Sequence, residues 1–282
     1  MDIIRSLDAM QQYSLGAKKR GLRIGFVPTM GCLHEGHLSL VKLARARSDV
    51  VVLSIFVNPI QFLPGEDFAR YPRPVERDEA LCRETGVDIV FYPDEATMYS
   101  VDHSVYVEET RLSGGLCGSS RPGHFRGVTT IVAKLFNLVL PDVAVFGQKD
   151  VQQSRIIQRM VRDLNYPIDI ILGPIVREVD GLALSSRNRY LSASERQDSV
   201  CLYHSLRRAE KMVKDGERSV AQIRAAMVSA ISLSKSARID YIEFVNDRTL
   251  QPVTVVEEPV LLALAVKIGA TRLIDNVVLK LT

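Results

Sequence analysis

The segment Leu22-Arg23-Ile24-Gly25-Phe26-Val27 is a short, largely apolar run closed by Pro28, and Val50 to Val57 is a second, interrupted only by Ser54. Short apolar runs bounded by turn signals suit buried strands. Between them Leu38, Val41 and Ala44 recur at spacings that place them on one helical face. Together these three segments predict a βαβ unit, preceded by a polar, helix-like opening from about Ser6 to Arg20. The alternation continues with a charged helix around Val75 to Glu84, a strand Val87 to Phe91 and a helix Val128 to Leu140. A strand Val143 to Phe146 and a helix Val151 to Leu164 follow. Such repetition predicts an α/β fold with a doubly wound, mainly parallel sheet.

Two features break the rhythm. A long polar connection runs from Pro93 to Phe125, rich in Gly and Ser near its end, and long loops inside compact domains are often functional. After about Val176 the texture changes. Helices at roughly Ser194 to Lys214 and Val220 to Ser232 precede strands at Arg238 to Val245, Val260 to Val266 and Thr271 to Val278. The expected organisation is a Rossmann-like domain over residues 1–176 and a smaller C-terminal α+β domain over residues 177–282.

Composition narrows the class. The chain has 282 residues, 46% hydrophobic and 24% charged, which is ordinary for a soluble globular protein. Asp2 and the polar residues that follow it do not suit a secretion signal. The longest apolar run is far shorter than the roughly 20 residues that span a bilayer. The expectation is a cytoplasmic protein with no membrane partner. Cys32, Cys82, Cys117 and Cys201 have no Cys-x-x-Cys spacing, so neither a zinc site nor a disulfide framework is indicated and reduced thiols are expected. A net charge of +3, with no basic run longer than Lys18-Lys19-Arg20, excludes the electrostatic footprint of a nucleic-acid binder and fits small anionic substrates.

The first candidate site is Pro28-Thr29-Met30-Gly31-Cys32-Leu33-His34-Glu35-Gly36-His37, which leads from the first strong strand into a helix. In open α/β sheets ligands bind at the carboxyl ends of strands, and a helix start offers unpaired N–H groups to phosphate. Gly31 and Gly36 let the backbone approach, while His34 and His37, three apart, share a helical face. An isolated His pair would equally suit a surface or part of a metal site. Zinc would want a third ligand, and His103, His124 and His204 come in no ligand-like spacing, so phosphate is the favoured partner here. A second candidate is Lys149-Asp150, placed after the strand Val143 to Phe146 and the flexible Gly147.

A His-x-x-His signature at this position resembles the nucleotidyltransferase superfamily. Val27-Pro28-Thr29-Met30-Gly31, Leu33-His34, Gly36-His37 and Phe56-Val57-Asn58-Pro59-Ile60-Gln61-Phe62 resemble the pantothenate synthetase family in particular. Similar stretches extend along the chain: Tyr71-Pro72-Arg73, Ser120 to Gly127, Val145 to Asp150 with Gln152-Gln153, Arg177-Glu178, Leu184-Ser185-Ser186-Arg187-Asn188 and Arg272 to Asn276. Two departures are Gln148, where the family usually has Glu, and Ser100, where it usually has Pro.

That resemblance implies a nucleotidyltransferase-type Rossmann fold with a C-terminal lid domain, and a ligase that joins pantoate to β-alanine using ATP through a pantoyl adenylate. It implies ATP contacts from Met30, Gly31, Cys32, Leu33, His34, Glu35, Gly36 and His37, from Gly147, Gln148, Lys149 and Asp150, and from Val176, Leu184, Ser185, Ser186 and Arg187. Catalytic roles would fall to His37 as proton donor and to His34, Lys149, Ser185, Ser186 and Arg187. Gln61 and Gln153 would bind substrate, with Asn58, Tyr71, Asp78, His124 and Arg126 nearby. A homodimer is implied. Mg²⁺ is expected because ATP's phosphates normally carry it, but no carboxylate cluster announces its ligands. The rival readings are a nucleotidyltransferase that keeps AMP or CMP on its product and a catalytically silent nucleotide-binding regulator. The presence of Gln61, Gln153 and Lys149 together disfavours the second.

Overall fold

The computed structural model describes residues 1–280. They divide into two compact units. Met1–Ser113, Gly118–Gln148 and Gln153–Pro174 form the first, and Gly114–Cys117, Lys149–Gln152 and the residues from Ile175 onward form the second.

The first unit carries β1 (Asp2–Ile4), α1 (Leu7–Lys19), β2 (Ile24–Thr29), α2 (Glu35–Arg45), β3 (Val50–Ile55), α3 (Val75–Thr85) and β4 (Ile89–Phe91). Next come α4 (Glu95–Met98), α5 (Cys117–Ser120), α6 (His124–Val139), β5 (Val143–Gly147), α7 (Val151–Asp163) and β6 (Asp169–Gly173), with Cys117 and the first two residues of α7 belonging to the second unit. The sheet order is β1-β4-β3-β2-β5-β6, and every pairing is parallel. From β2 the chain winds outward through β3 and β4, then returns to lay β5 on β2's other side. The carboxyl ends of β2 and β5 therefore flank the point where the winding reverses, the place where such sheets take ligands.

Burial explains the apolar runs. Phe26, Val27, Val51, Val52 and Leu53 are fully buried because the sheet is covered on both faces. On one face Val41 and Ala44 of α2 pack with Val27, Val51, Leu53 and Val145. Phe26, adjacent to Val27, meets Phe136 of α6 edge-on with ring centroids 6.4 Å apart, so strand alternation puts α6 on the opposite face.

The second unit carries α8 (Ala193–Ser199), α9 (Cys201–Lys214), α10 (Val220–Ile231) and an antiparallel sheet β7-β8-β9 of Ala237–Asn246, Val260–Ile268 and Thr271–Leu279. Its core joins Leu202, Leu206, Ile223 and Met227 of the helices to Phe244, Leu262, Leu264 and Val266 of the sheet.

The expected α/β architecture with a smaller α+β unit is present. Some elements differ from expectation. β1 and β6 lie outside the predicted set, the predicted helix Ser194 to Lys214 is two helices separated at Val200, and α6 begins at His124 rather than Val128. Among the described residues no helix is long and apolar enough to cross a membrane, and the four cysteines are buried and joined in no disulfide.

Candidate active site

The loop between β2 and α2 is shaped by α3. Gly31 adopts φ +81°, and a β-carbon there would lie 2.8 Å from Ile55 Cγ2, so glycine is required on both counts. Asp78, 1% exposed on α3, accepts from Cys32 N at 2.6 Å and Leu33 N at 2.8 Å. Arg77 donates to Leu33 O at 3.1 Å. Asp78 thus holds the Cys32 and Leu33 amides and sets the path of the loop. Glu35 and Gly36, the first two residues of α2, present the amides that a helix start leaves without an intrahelical acceptor. The Glu35 carboxylate itself pairs with Lys42 at 3.1 Å.

His34 is the N-cap of α2, and its ring lies beside that of His37, centroids 4.1 Å apart. His34 N donates to His37 Nδ1 at 3.4 Å. A ring accepting at Nδ1 carries its proton at Nε2 when neutral, which makes Nε2 a donor.

Gln61 closes a single 3₁₀ turn, Pro59–Gln61, after β3. Its Oε1 accepts from Asn58 Nδ2 at 3.0 Å, and its Nε2 reaches Met30 Sδ at 3.2 Å, which ties the turn to the β2–α2 loop. Asn58, 1% exposed, also donates to Gly127 O at 3.1 Å and accepts from Tyr99 OH at 2.7 Å. Burial, with help from the neighbouring Tyr106 and Glu95, pushes the Tyr99 phenol upward, so it stays protonated and donates. Gly127 of α6 is the contact point: a β-carbon there would sit 2.4 Å from Ile60 O and 2.7 Å from Gln61 Cα.

The Gln61 carbonyl is held as well. His124 Nδ1 lies 2.8 Å from it and Arg121 Nη2 3.3 Å, while Arg121 Nη1 lies 2.9 Å from His124 Nε2. Because an arginine only donates, Nε2 accepts and Nδ1–H points at Gln61 O. Arg121 also forks onto Glu66 at 2.7 and 2.6 Å. Burial works to raise the Glu66 pKa, but hydrogen bonds from Arg121 and Leu63 N and the Arg121 charge outweigh it and hold the group below its ordinary value.

A cavity of about 180 Å³ lies along this loop, lined by Phe56, Arg73 and Tyr92 among others; of the residues expected at or near the site, Met30, Gly31 and Asp78 reach it. Tyr71 is buried, and Arg126 stacks on Tyr106 at 3.9 Å. Gln153 is half-buried on α7, and Gly147 and Gln148 are half-buried at the end of β5.

The second unit gathers the remaining candidates. Lys149 Nζ pairs with Asp150 at 3.8 Å, and Lys149 O accepts from Asn276 Nδ2 at 3.0 Å. Val176 O accepts from Leu184 N at 3.0 Å, closing a small hairpin in which Arg177 pairs with Ala183. Gly181, φ +96°, turns this hairpin against the Tyr203 ring, where a β-carbon would lie 2.0 Å from Cδ1. Ser185 caps the 3₁₀ helix Ser186–Tyr190, its Oγ accepting from Arg187 N at 3.3 Å, and Ser186 is buried. Asn188 fastens that helix to Glu178 at 3.2 Å and to Ala183 O at 3.1 Å, and Arg196 bridges Glu178 and Asp180 at 2.7 and 2.9 Å.

Within the first unit the fold therefore brings together Met30, His34, His37 and Gln61. Within the second it brings together Val176, Leu184 and Ser185 to Arg187, and joins Lys149 to β9. Sequence reasoning gave no role to Asn276, Asp275, Arg121 or Gln152. The Arg272 to Asn276 stretch was visible as a motif, but its partners are far away in the chain. Among the described residues no group of three or more His, Cys, Asp or Glu is gathered as for a metal ion.

The sequence model of the family described as pantoate-beta-alanine ligase matches residues 2–278. Pantothenate synthetase of Moorella thermoacetica is 54% identical over 280 residues, 99% of each chain, and that of Thermotoga neapolitana 53% over 279 residues, 99% of this chain and 100% of the other. The crystal structure of pantothenate synthetase from Thermus thermophilus superposes with a TM-score of 0.93 at 42% identity, covering 99% and 100% of the two chains. Pantoate-beta-alanine ligase from Francisella tularensis, complexed with beta-gamma ATP and beta-alanine, superposes with a TM-score of 0.83 at 33% identity, covering 99% and 97%.

Proposed function

The chain belongs to the pantoate-β-alanine ligase family, and from that premise we propose that it condenses (R)-pantoate with β-alanine by way of a pantoyl adenylate, releasing AMP and pyrophosphate. A carboxylate resists attack by an amine because its charge repels the nucleophile and oxide is a poor leaving group. In the first step a pantoate carboxylate oxygen attacks the α-phosphorus of ATP, the bond from that phosphorus to the bridging oxygen breaks, and pyrophosphate departs. In the second the β-alanine nitrogen adds to the acyl carbon, the carbon–oxygen bond to phosphate breaks, AMP leaves and the amine releases a proton.

The observation that carries this reading is the loop after β2 at the reversal point of the sheet. It presents the helix start of α2, with the rings of His34 and His37 side by side, while its Met30 is tied to Gln61. His37 donates from Nε2 to the phosphate as negative charge grows, and His34 and the Glu35 and Gly36 amides hold the same phosphate. Gln61 and Gln153 bind pantoate through neutral amides, with Gln61 also meeting β-alanine. Lys149 reaches the β- and γ-phosphates, Asp150 a ribose hydroxyl, and Val176 the adenine through its backbone. Leu184, Ser185, Ser186 and Arg187 close on the triphosphate.

Mg²⁺ enters with ATP in this reading; the described residues form no cage for it, and no step is assigned to it. The C-terminal unit acts as a lid that keeps water from the adenylate. The same proposal includes a cytoplasmic homodimer.

Product analysis by mass spectrometry tests it, with ATP, Mg²⁺ and pantoate supplied with and without β-alanine. AMP and pantothenate should accumulate only with β-alanine, and enzyme-bound pantoyl adenylate should persist without it. Survival of ATP in both tubes, or formation of ADP, would overturn the adenylate route.

A further inference from the structure

We infer that Asn276 of β9 is a positioning residue for ATP use: its side-chain amide fixes the Lys149 backbone and so sets where the Lys149 ammonium points. The inference rests on the reading of Lys149 as a phosphate partner.

Asn276 is 2% exposed and its Nδ2 donates to Lys149 O at 3.0 Å. Burying an amide is costly unless it is hydrogen-bonded, so its place in a strand otherwise rich in Leu, Ile and Val is accounted for by what it holds. The backbone that carries the amide is fixed, because Asn276 pairs with Ala263 of β8 and Asn276 N donates to Asp275 Oδ1 at 2.8 Å.

Lys149 needs such a hold. It sits in a three-residue 3₁₀ turn, Gln148–Asp150, not in a ladder. Its ion pair with Asp150 is 3.8 Å long and the carboxylate is 49% exposed, so the pair is too weak to aim the side chain. The far end of the same segment is pinned from the same face of β9. Arg272, four residues before Asn276, lies 3.6 Å from Cys117 Sγ through both terminal nitrogens, and Cys117 N donates to Gln152 Oε1 at 3.0 Å. Lys149 to Gln152 is thereby fastened at both ends to one strand.

Steady-state kinetics of Asn276→Ala, Asn276→Asp, Lys149→Ala and the Lys149→Ala/Asn276→Ala double variant decide the matter. The Ala variant removes the donor outright, and the near-isosteric Asp variant keeps the shape while replacing the amide NH₂ with a carboxyl oxygen. Both Asn276 variants should raise KM for ATP about tenfold, with KM for pantoate and β-alanine within about twofold, and Asn276→Gln should recover part of the loss. The double variant should be no worse than Lys149→Ala alone, the signature of two residues acting through one contact. Additive losses, an unchanged ATP KM in both Asn276 variants, or failure of both to fold would overturn the inference. If Lys149→Ala binds and uses ATP normally, the phosphate role of Lys149 falls and takes the inference with it. A deficient Lys149→Ala beside normal Asn276 variants removes the inference alone.

Discussion

The Asp275 carboxylate grips both terminal nitrogens of Arg177, at 2.6 and 3.0 Å, while Arg177 also donates to Gly181 O at 3.0 Å. With Asp275 only 3% exposed, removing the cation strands a buried charge. Arg177→Ala should therefore cost about 3–5 kcal/mol of stability, measured by urea denaturation, whereas an apolar replacement of both partners should cost much less. A loss below about 1 kcal/mol would show that the carboxylate finds water or another donor.

His37→Ala tests the donor at the start of α2. Loss of one aimed donor should lower kcat roughly 100- to 1,000-fold, or about 2.7–4 kcal/mol, with the fold intact by circular dichroism. A variant within about threefold of the parent would take His37 out of the mechanism.

Asp78→Asn asks how the loop keeps its path. The change places an NH₂ group opposite one of the Cys32 and Leu33 amides, leaving donor facing donor in a buried site. The expected cost is about 1–3 kcal/mol in stability, with a rise in KM for ATP as the loop relaxes. Unchanged stability and unchanged kinetics together would show that Arg77 and the turn at Gly31 suffice.

Acid should loosen the turn at Gln61. Glu66 has its folded pKa held below the usual carboxylate value, so it binds protons less readily folded than unfolded. Its contribution is then complete above the unfolded pKa and lost as pH falls through the lower folded value. Stability of the parent should fall more steeply than that of Glu66→Gln as pH drops below about 4.5, the ordinary value. Parallel stability curves for the two would contradict the Arg121 clamp.

Gly127→Ala should be costly although alanine favours helices. Its methyl group would meet the Ile60 carbonyl at 2.4 Å, which backbone cannot yield easily. Overpacking of this kind costs about 1–3 kcal/mol, and the displaced Gln61 should raise KM for pantoate while KM for ATP changes little. Wild-type stability and kinetics would mean that the helix and turn separate freely.

What the sequence made legible were the features that repeat locally. Leu38, Val41 and Ala44 announced α2, and the apolar runs around Phe26 and Val52 announced the central strands, because a sheet covered on both faces needs them. β1 is three residues long, too short for any periodicity, and the five residues of β6 are paired by the tertiary fold rather than by pattern. The pattern starts α6 too late because Gly127 looks like a helix breaker, whereas it marks a close approach to Ile60 that only the fold reveals. The loop from Met30 to His37 stood out by its position after a strand. The contacts that shape the two units' loops did not: Asp78 was expected nearby but not as the acceptor for Cys32 and Leu33, and Asp275 and Asn276 act on Arg177 and Lys149, far from them in the chain, where a side chain's partner leaves no local trace.

The sheet order also bears on how the protein emerges from a ribosome. β2, the strand that carries the histidine loop, pairs with β3 soon after it is made, but its other edge waits for Gly25 and Phe26 to meet Val143 and Ala144 of β5. A nascent chain stopped before Val143 would expose that edge beside uncovered apolar residues, an invitation to pair with a neighbouring chain. Of the strands paired on both sides, β2 is thus the one that waits longest for its second partner, and slow translation between β4 and β5 would favour aggregation.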